Sequence, residues 1–282
     1  MIEFQNVTKR YGKITALRDF SITIDRPGIY CLLGRNGAGK TTLLKAIAGH
    51  IAASSGTVMV NGKAAGMLAM PGNVHFVEMG AAQFNIRLTG LFNAAAEINP
   101  AFDTGFALKM ARRFRLDLKK RYRQLSFGMK AMAGTLIALS SGKDILILDE
   151  PVLGFDPVMR KTFYELLQES CDAKPRTVVV STHIIDEIAK IAERLIIIDR
   201  GQLKLYCDMN EVDEKAYSVT GPAEYVKAAT DGLRVIGETR AGGFLSRHIY
   251  DARIETSGNY SVASLGLQDF FIGLVGGEKE AM

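Results

Sequence analysis

Apolar residues fall into three patterns along this chain. Continuous runs at Ile29-Tyr30-Cys31-Leu32-Leu33, Ile145-Leu146-Ile147-Leu148, Val178-Val179-Val180 and Leu195-Ile196-Ile197-Ile198 carry no polar alternation. Such runs predict central strands of a mostly parallel sheet covered on both faces. Alternation around Ile2, Phe4, Val7, Ile22 and Ile24 predicts a small sheet edge at the N-terminus, with a turn at Pro27-Gly28. Residues 56–62 read as a further strand ending in the turn pair Asn61-Gly62, and residues 74–77 as another ending at Glu78. From about 86 to 139 the pattern is helical: Phe106, Met110 and Phe114 recur beside Ala107 and Ala111 on one face of a helix within 103–115.

The pattern changes after Gly201. Residues 202–206 read as a strand paired with the one before it, and residues 208–215 are acidic and polar. Pro222 suits the first turn of a helix running to Thr230 and stopped by Gly232. Ser264 is expected to cap a last helix with a stripe of Leu267, Phe270, Phe271 and Leu274, ended by Gly276-Gly277. The chain therefore divides into a domain at 1–207, with a helical subdomain at about 79–139, and a small accessory module at 208–282 without a catalytic cluster of its own.

Composition narrows the function classes. With 282 residues, 48% of them apolar, the chain can bury a large core, and no apolar run is long enough to cross a bilayer. The strand pattern begins at Ile2, leaving no room for a signal peptide. Cys31, Cys171 and Cys207 match no metal or redox spacing, so a reducing, cytosolic location is expected. A net charge of +5 selects no partner. Lys109, Arg112, Arg113, Arg115, Lys119, Lys120, Arg121 and Arg123 form a basic stretch suited to headgroups or an acidic surface. With only Phe114 and Tyr122 interleaved, nucleic acid is not the expected partner.

Candidate chemistry sits where the strands end. Gly34-Arg35-Asn36-Gly37-Ala38-Gly39-Lys40-Thr41 follows an apolar strand and precedes a helical segment, the context of a phosphate-binding loop. Its glycines let backbone N–H groups turn inward around a phosphate. Lys40 then reaches the β- and γ-phosphates, and the Thr41 hydroxyl can hold Mg²⁺. The nucleotide-binding candidates there are Gly34, Asn36, Gly37, Ala38, Gly39, Lys40, Thr41 and Thr42. Asp149 and Glu150 leave the strand at 145–148 in different directions, the first suited to the Mg²⁺ shell and the second to polarising a water. His183, at another strand end, can hydrogen-bond a γ-phosphate. Tyr11 offers a face to a purine base, although an isolated tyrosine is as well explained by packing.

Together these motifs resemble the ATP-binding subunit of ABC transporters over residues 1 to about 205. Residues 34–41 resemble Walker A and residues 145–150 Walker B. Leu125-Ser126-Phe127-Gly128-Met129 resembles the LSGGQ signature, and Gly154-Phe155-Asp156-Pro157 the D-loop. His183 resembles the switch histidine and Tyr11 the A-loop tyrosine, while Glu78 falls at the Q-loop glutamine.

The resemblance implies an α/β fold of the ABC ATPase type. A mostly parallel core sheet, an antiparallel N-terminal sheet, a helical signature subdomain and a small α+β C-terminal module are its expected parts. It implies ATP hydrolysis with Mg²⁺, catalytic roles for Glu150, His183 and Lys40, and metal contacts from Thr41, Glu78 and Asp149. Two ATPase subunits, identical or close paralogues, would enclose two ATP, with Ser126 and Gly128 of one reaching the γ-phosphate of the other. A multi-spanning membrane permease would be the second partner, placing the chain in the cytoplasm on the inner face of the cell membrane.

The sequence departs from the family pattern at Phe127, Met129 and Phe155, and Glu78 adds a negative charge where glutamine is usual. Residues 85–118 and 264–271 resemble the subunits of type-2 exporters. Rival readings are an importer ATPase, a soluble ABC ATPase acting on ribosomes or DNA, a P-loop small-molecule kinase, and a non-catalytic binding protein.

Overall fold

The computed structural model describes residues 1–78 and 85–276. Strands β1 (Ile2–Tyr11) and β2 (Ile14–Ile24) form an antiparallel ribbon that β4 (Ser55–Val60) and β5 (Lys63–Ala64) extend, in the order β2-β1-β4-β5. Asn61 and Gly62 both adopt positive φ (48° and 74°), which makes the tight β4–β5 turn that the Asn-Gly pair predicts.

Between these strands the chain passes through β3 (Gly28–Leu33) and α1 (Lys40–Ile47), then returns to the centre as β6 (Val74–Glu78). Helices α2 (Leu88–Ile98), α3 (Thr104–Arg113) and α4 (Phe127–Ser140) follow, then β7 (Ile145–Asp149), α5 (Pro157–Ala173), β8 (Thr177–Ser181), α6 (Ile185–Ile188), β9 (Arg194–Asp199) and β10 (Gln202–Asp208). The six-stranded sheet has the order β10-β9-β3-β8-β7-β6. Every neighbour in it is parallel except the β9–β10 pair.

Strands β3, β7 and β8 are buried at every residue, as continuous apolar runs require. Successive residues of β7 feed two different cores. Leu146 and Leu148 pack with Phe92, Met132, Leu136 and Phe163 from the helices, while Ile145 and Ile147 join Phe4, Phe20 and Leu43 on the N-terminal side.

Helix ends carry the caps their sequences offer. Asp103 accepts from Phe106 N at 2.8 Å, Ser126 from Met129 N at 3.2 Å, and Asp156 from Met159 N at 2.9 Å. Helix α3 buries Ala107, Met110 and Ala111, and Phe114 is buried just past its end. Part of the basic stretch serves the fold: Arg113 pairs with Glu169 at 2.9 Å, and Arg121 donates to the Asn85 carbonyl at 2.7 Å.

Beyond β10 come α7 (Met209–Lys215), β11 (Ala216–Pro222), α8 (Ala223–Ala229), β12 (Val235–Ala241), β13 (Phe244–Tyr250), β14 (Ser261–Ser264) and α9 (Leu267–Gly276). The strands form an antiparallel sheet, β12-β13-β11-β14, around Tyr217, Val219, Val226, Leu245 and Ile249. Two sequence expectations are corrected here. Ser264 does not cap the last helix: it pairs with Tyr217 as the end of β14, and α9 begins at Leu267 after Leu265 N has also bonded the Ala216 carbonyl. Pro222 closes β11 opposite Phe244, and its ψ of 137° keeps it outside α8. The expected stop at Gly277 lies outside the described residues.

All three cysteines are free, Cys31 and Cys207 buried and Cys171 half-buried. Burial raises each thiol, Cys171 and Cys207 to about 11, which keeps them protonated and unreactive. Among the described residues no helix is long and apolar enough to cross a membrane.

Candidate functional site

Strand β3 ends at Leu33 and the chain turns through residues 34–39 into α1. Gly37 and Gly39 hold φ of 79° and 107°, and a Cβ on Gly39 would stand 2.5 Å from the Ala16 carbonyl oxygen. Only glycine fits there. Helix α1 starts at Lys40 with no side-chain cap and no acid in its first turn. Its first N–H groups and its dipole are thus left for an anion.

These groups open onto a cavity of about 530 Å³. Its walls are Tyr11, residues 36–42, Glu78, Asp149 and Glu150, together with Ala16, Arg35 and Leu153. Gly34 lies just behind the wall, where its carbonyl accepts a hydrogen bond from Lys40 Nζ at 2.6 Å. Tyr11 is 46% exposed, so its ring is open to a ligand, with Lys9 Nζ 5.0 Å from its centroid.

The acids reach the cavity from adjacent strand ends. Register places Glu78 beside Asp149, and Asp149 beside Ser181, across β6, β7 and β8. The Asp149 carboxylate accepts from Thr41 Oγ1 at 2.8 Å and from the Ser181 hydroxyl, which fixes its orientation although it is only 8% exposed. Glu150 has a φ of 50°, in the left-handed region, and its backbone N–H donates to Ser181 O at 3.0 Å. This turn aims its side chain away from Asp149. Its Oε2 lies 2.8 Å from His183 Nδ1. Glu78 is engaged by Lys45, Oε1 to Nζ at 2.7 Å.

Ser126 and Gly128 do not line this cavity. Gly128 packs so closely on the turn after Glu150 that a Cβ would meet Gly154 O at 2.7 Å, and the Phe127 ring also lies against Gly154. Lys45 and Ser181 were not among the sequence candidates. Lys45 lies one helical turn beyond Thr41 and so shares its face; Ser181 precedes His183 at a strand end already singled out.

A loop from a parallel strand into an uncapped helix, with acids at the ends of two further strands of the same sheet, defines a P-loop nucleoside triphosphatase fold. The ABC transporter family profile matches residues 17–153. Nod factor export ATP-binding protein I of Burkholderia lata is 31% identical over 211 residues, covering 71% of this chain and 68% of that protein. The chain belongs to the ABC transporter ATP-binding family. The bacitracin transport ATP-binding protein BcrA of Enterococcus faecalis is 29% identical over 225 residues, covering 76% of this chain and 71% of that protein. A dimeric bacterial ABC transporter cassette superposes with a TM-score of 0.66 at 22% identity, over 74% of this chain and 99% of its own.

Proposed function

We propose that this chain is the ATP-hydrolysing subunit of an exporter, with residues 1–207 as the ATPase domain and 208–282 as an accessory module. The observation that carries the reading is the convergence of the uncapped α1 N-terminus, Lys40, the Thr41–Asp149 pair and the Glu150–His183 pair at the same sheet edge. The name of a relative concerned with Nod factor export supports export over import.

The residues divide the work. The first N–H groups of α1 bind the β-phosphate, and Lys40 exchanges the Gly34 carbonyl for phosphate oxygens. Thr41 and Asp149 offer oxygen donors only, a set that would hold Mg²⁺. Held there, Mg²⁺ would supply charge neutralisation at the phosphates. Glu150 accepts the proton of the attacking water, and His183 holds the Glu150 carboxylate in place. Tyr11 stacks on the adenine.

Ser126, which caps α4, and Gly128 in its first turn serve a nucleotide held by a second subunit, an identical copy or a close paralogue. Closing and opening of that pair drives a multi-spanning membrane permease from the cytoplasmic side. The test is phosphate release by purified protein together with co-purification from membranes. Mg²⁺-dependent ATPase activity that Glu150→Gln removes, and recovery of a polytopic protein, are expected. Unchanged turnover in Glu150→Gln would overturn the catalytic assignment.

A further inference from the structure

Three carboxylates converge on the phosphate cavity from the ends of β6 and β7: Glu78, Asp149 and Glu150. Asp149 is occupied by two hydroxyls and Glu150 by His183. Glu78 would face a polyanionic ligand with a bare negative charge, had it no cation of its own. Lys45 supplies one. Its ammonium lies 2.7 Å from Glu78 Oε1, with the two side chains 30% and 35% exposed. The contact joins α1, the helix that begins the phosphate loop, to the end of β6.

We infer that Lys45 and Glu78 act as one neutral unit at the phosphate site, Lys45 being the positioning residue that makes a carboxylate compatible with nucleotide there. The inference rests on the nucleotide-binding reading above. It assigns Lys45 a role that the loop pattern itself, ending at Thr41, does not contain. Lys40 cannot substitute, because it belongs to the phosphates. The pair is half-hydrated, so its effect on folding is small, whereas an uncompensated charge beside a triphosphate acts at short range in a partly desolvated cleft. A consequence is that removing either partner alone changes nucleotide affinity, in opposite directions, and removing both restores it.

Isothermal titration of ATP, in EDTA and then in Mg²⁺, on the whole chain and its variants tests this. In EDTA, Lys45→Met is expected to weaken binding by on the order of fivefold, the size of one largely water-screened charge at close range. Lys45→Met with Glu78→Gln returns to within about twofold of the parent, and Lys45→Arg binds like the parent. Glu78→Gln alone, which leaves the Lys45 charge unneutralised, binds Mg²⁺-free ATP more tightly, and this variant keeps the test open if Lys45→Met does not fold. In Mg²⁺ the differences shrink, because the metal takes up part of the phosphate charge. Equal weakening in Lys45→Met and the double variant, or an unchanged affinity in Glu78→Gln, would overturn the coupling. A parent protein that binds no ATP would overturn the nucleotide reading and this inference with it, a failure told apart by the parent's own titration.

Discussion

Asp149 Oδ2 receives the Thr41 hydroxyl at 2.8 Å, which ties the first turn of the phosphate-loop helix to the end of the central strand 108 residues later in sequence. The other carboxylate oxygen is held by Ser181. Ser181→Ala leaves a nearly buried carboxylate short of one donor. We expect a loss of about 1–3 kcal/mol in denaturant unfolding, the cost of an unsatisfied buried group. A rise in the Mg²⁺ concentration for half-maximal ATPase activity should accompany it. Wild-type stability in that variant would show that the hydroxyl contributes no net orientation.

Glu150 and His183 form the second pair, and their contact makes separable predictions. On the proposed mechanism Glu150→Gln lowers turnover by about 10²–10⁴-fold, the range for removal of a general base. ATP binding by titration stays close to wild type. His183→Ala is expected to slow turnover less, since it removes the group that orients the base and leaves the base itself. An ATPase rate for His183→Ala below that of Glu150→Gln would reverse these assignments.

Gly154 has a φ of 81°, and a Cβ there would stand 2.7 Å from the Phe127 ring. Gly154→Ala is expected to cost about 1–3 kcal/mol through backbone strain and overlap. Combining it with Phe127→Ala should recover the overlap part and leave the backbone part, so the two changes are non-additive in thermal unfolding. Strict additivity would place the ring elsewhere in solution.

Acid sensitivity should be traceable to His75. Burial, and secondarily Lys143, push its pKa from 6.5 down to about 4. The unfolded chain therefore binds a proton between those values that the folded chain refuses. The associated stability is complete above pH 6.5, falls as the pH drops, and is gone below about 4, a change on the order of 3 kcal/mol. His75→Phe should flatten that part of the pH–stability curve measured by chemical denaturation. An unchanged slope would assign it to other groups.

Period and spacing made the central sheet legible in the sequence: runs without alternation became β3, β7, β8 and β9, and the loop between β3 and α1 announced itself by its glycines. The long-range relationships were less visible. Nothing local in Lys45 says that it meets Glu78, because the contact depends on β6 lying beside β7. Sheet order, unlike strand content, is set by tertiary packing. Ser264 misled for a related reason. A serine before an apolar stripe is a good cap, but pairing with β11 uses its backbone as strand and moves the helix start two residues on, from 265 to Leu267. Ser126 and Gly128 were readable as a motif, and their absence from the walls of the Lys40 cavity agrees with the resemblance, which assigns them to a second subunit's nucleotide.

The apolar interior does not stop at the end of β10. Leu195 and Ile197 belong to the same packed cluster as Met209, Val212, Ile236, Tyr250, Leu267 and Phe270, with the Tyr250 and Phe270 rings 4.9 Å apart. Cutting the gene after codon 207 would thus not yield a clean half. The shortened product would carry a greasy wound where its tail had been, and sedimentation should find it clumped unless detergent or a replacement peptide dressed the scar.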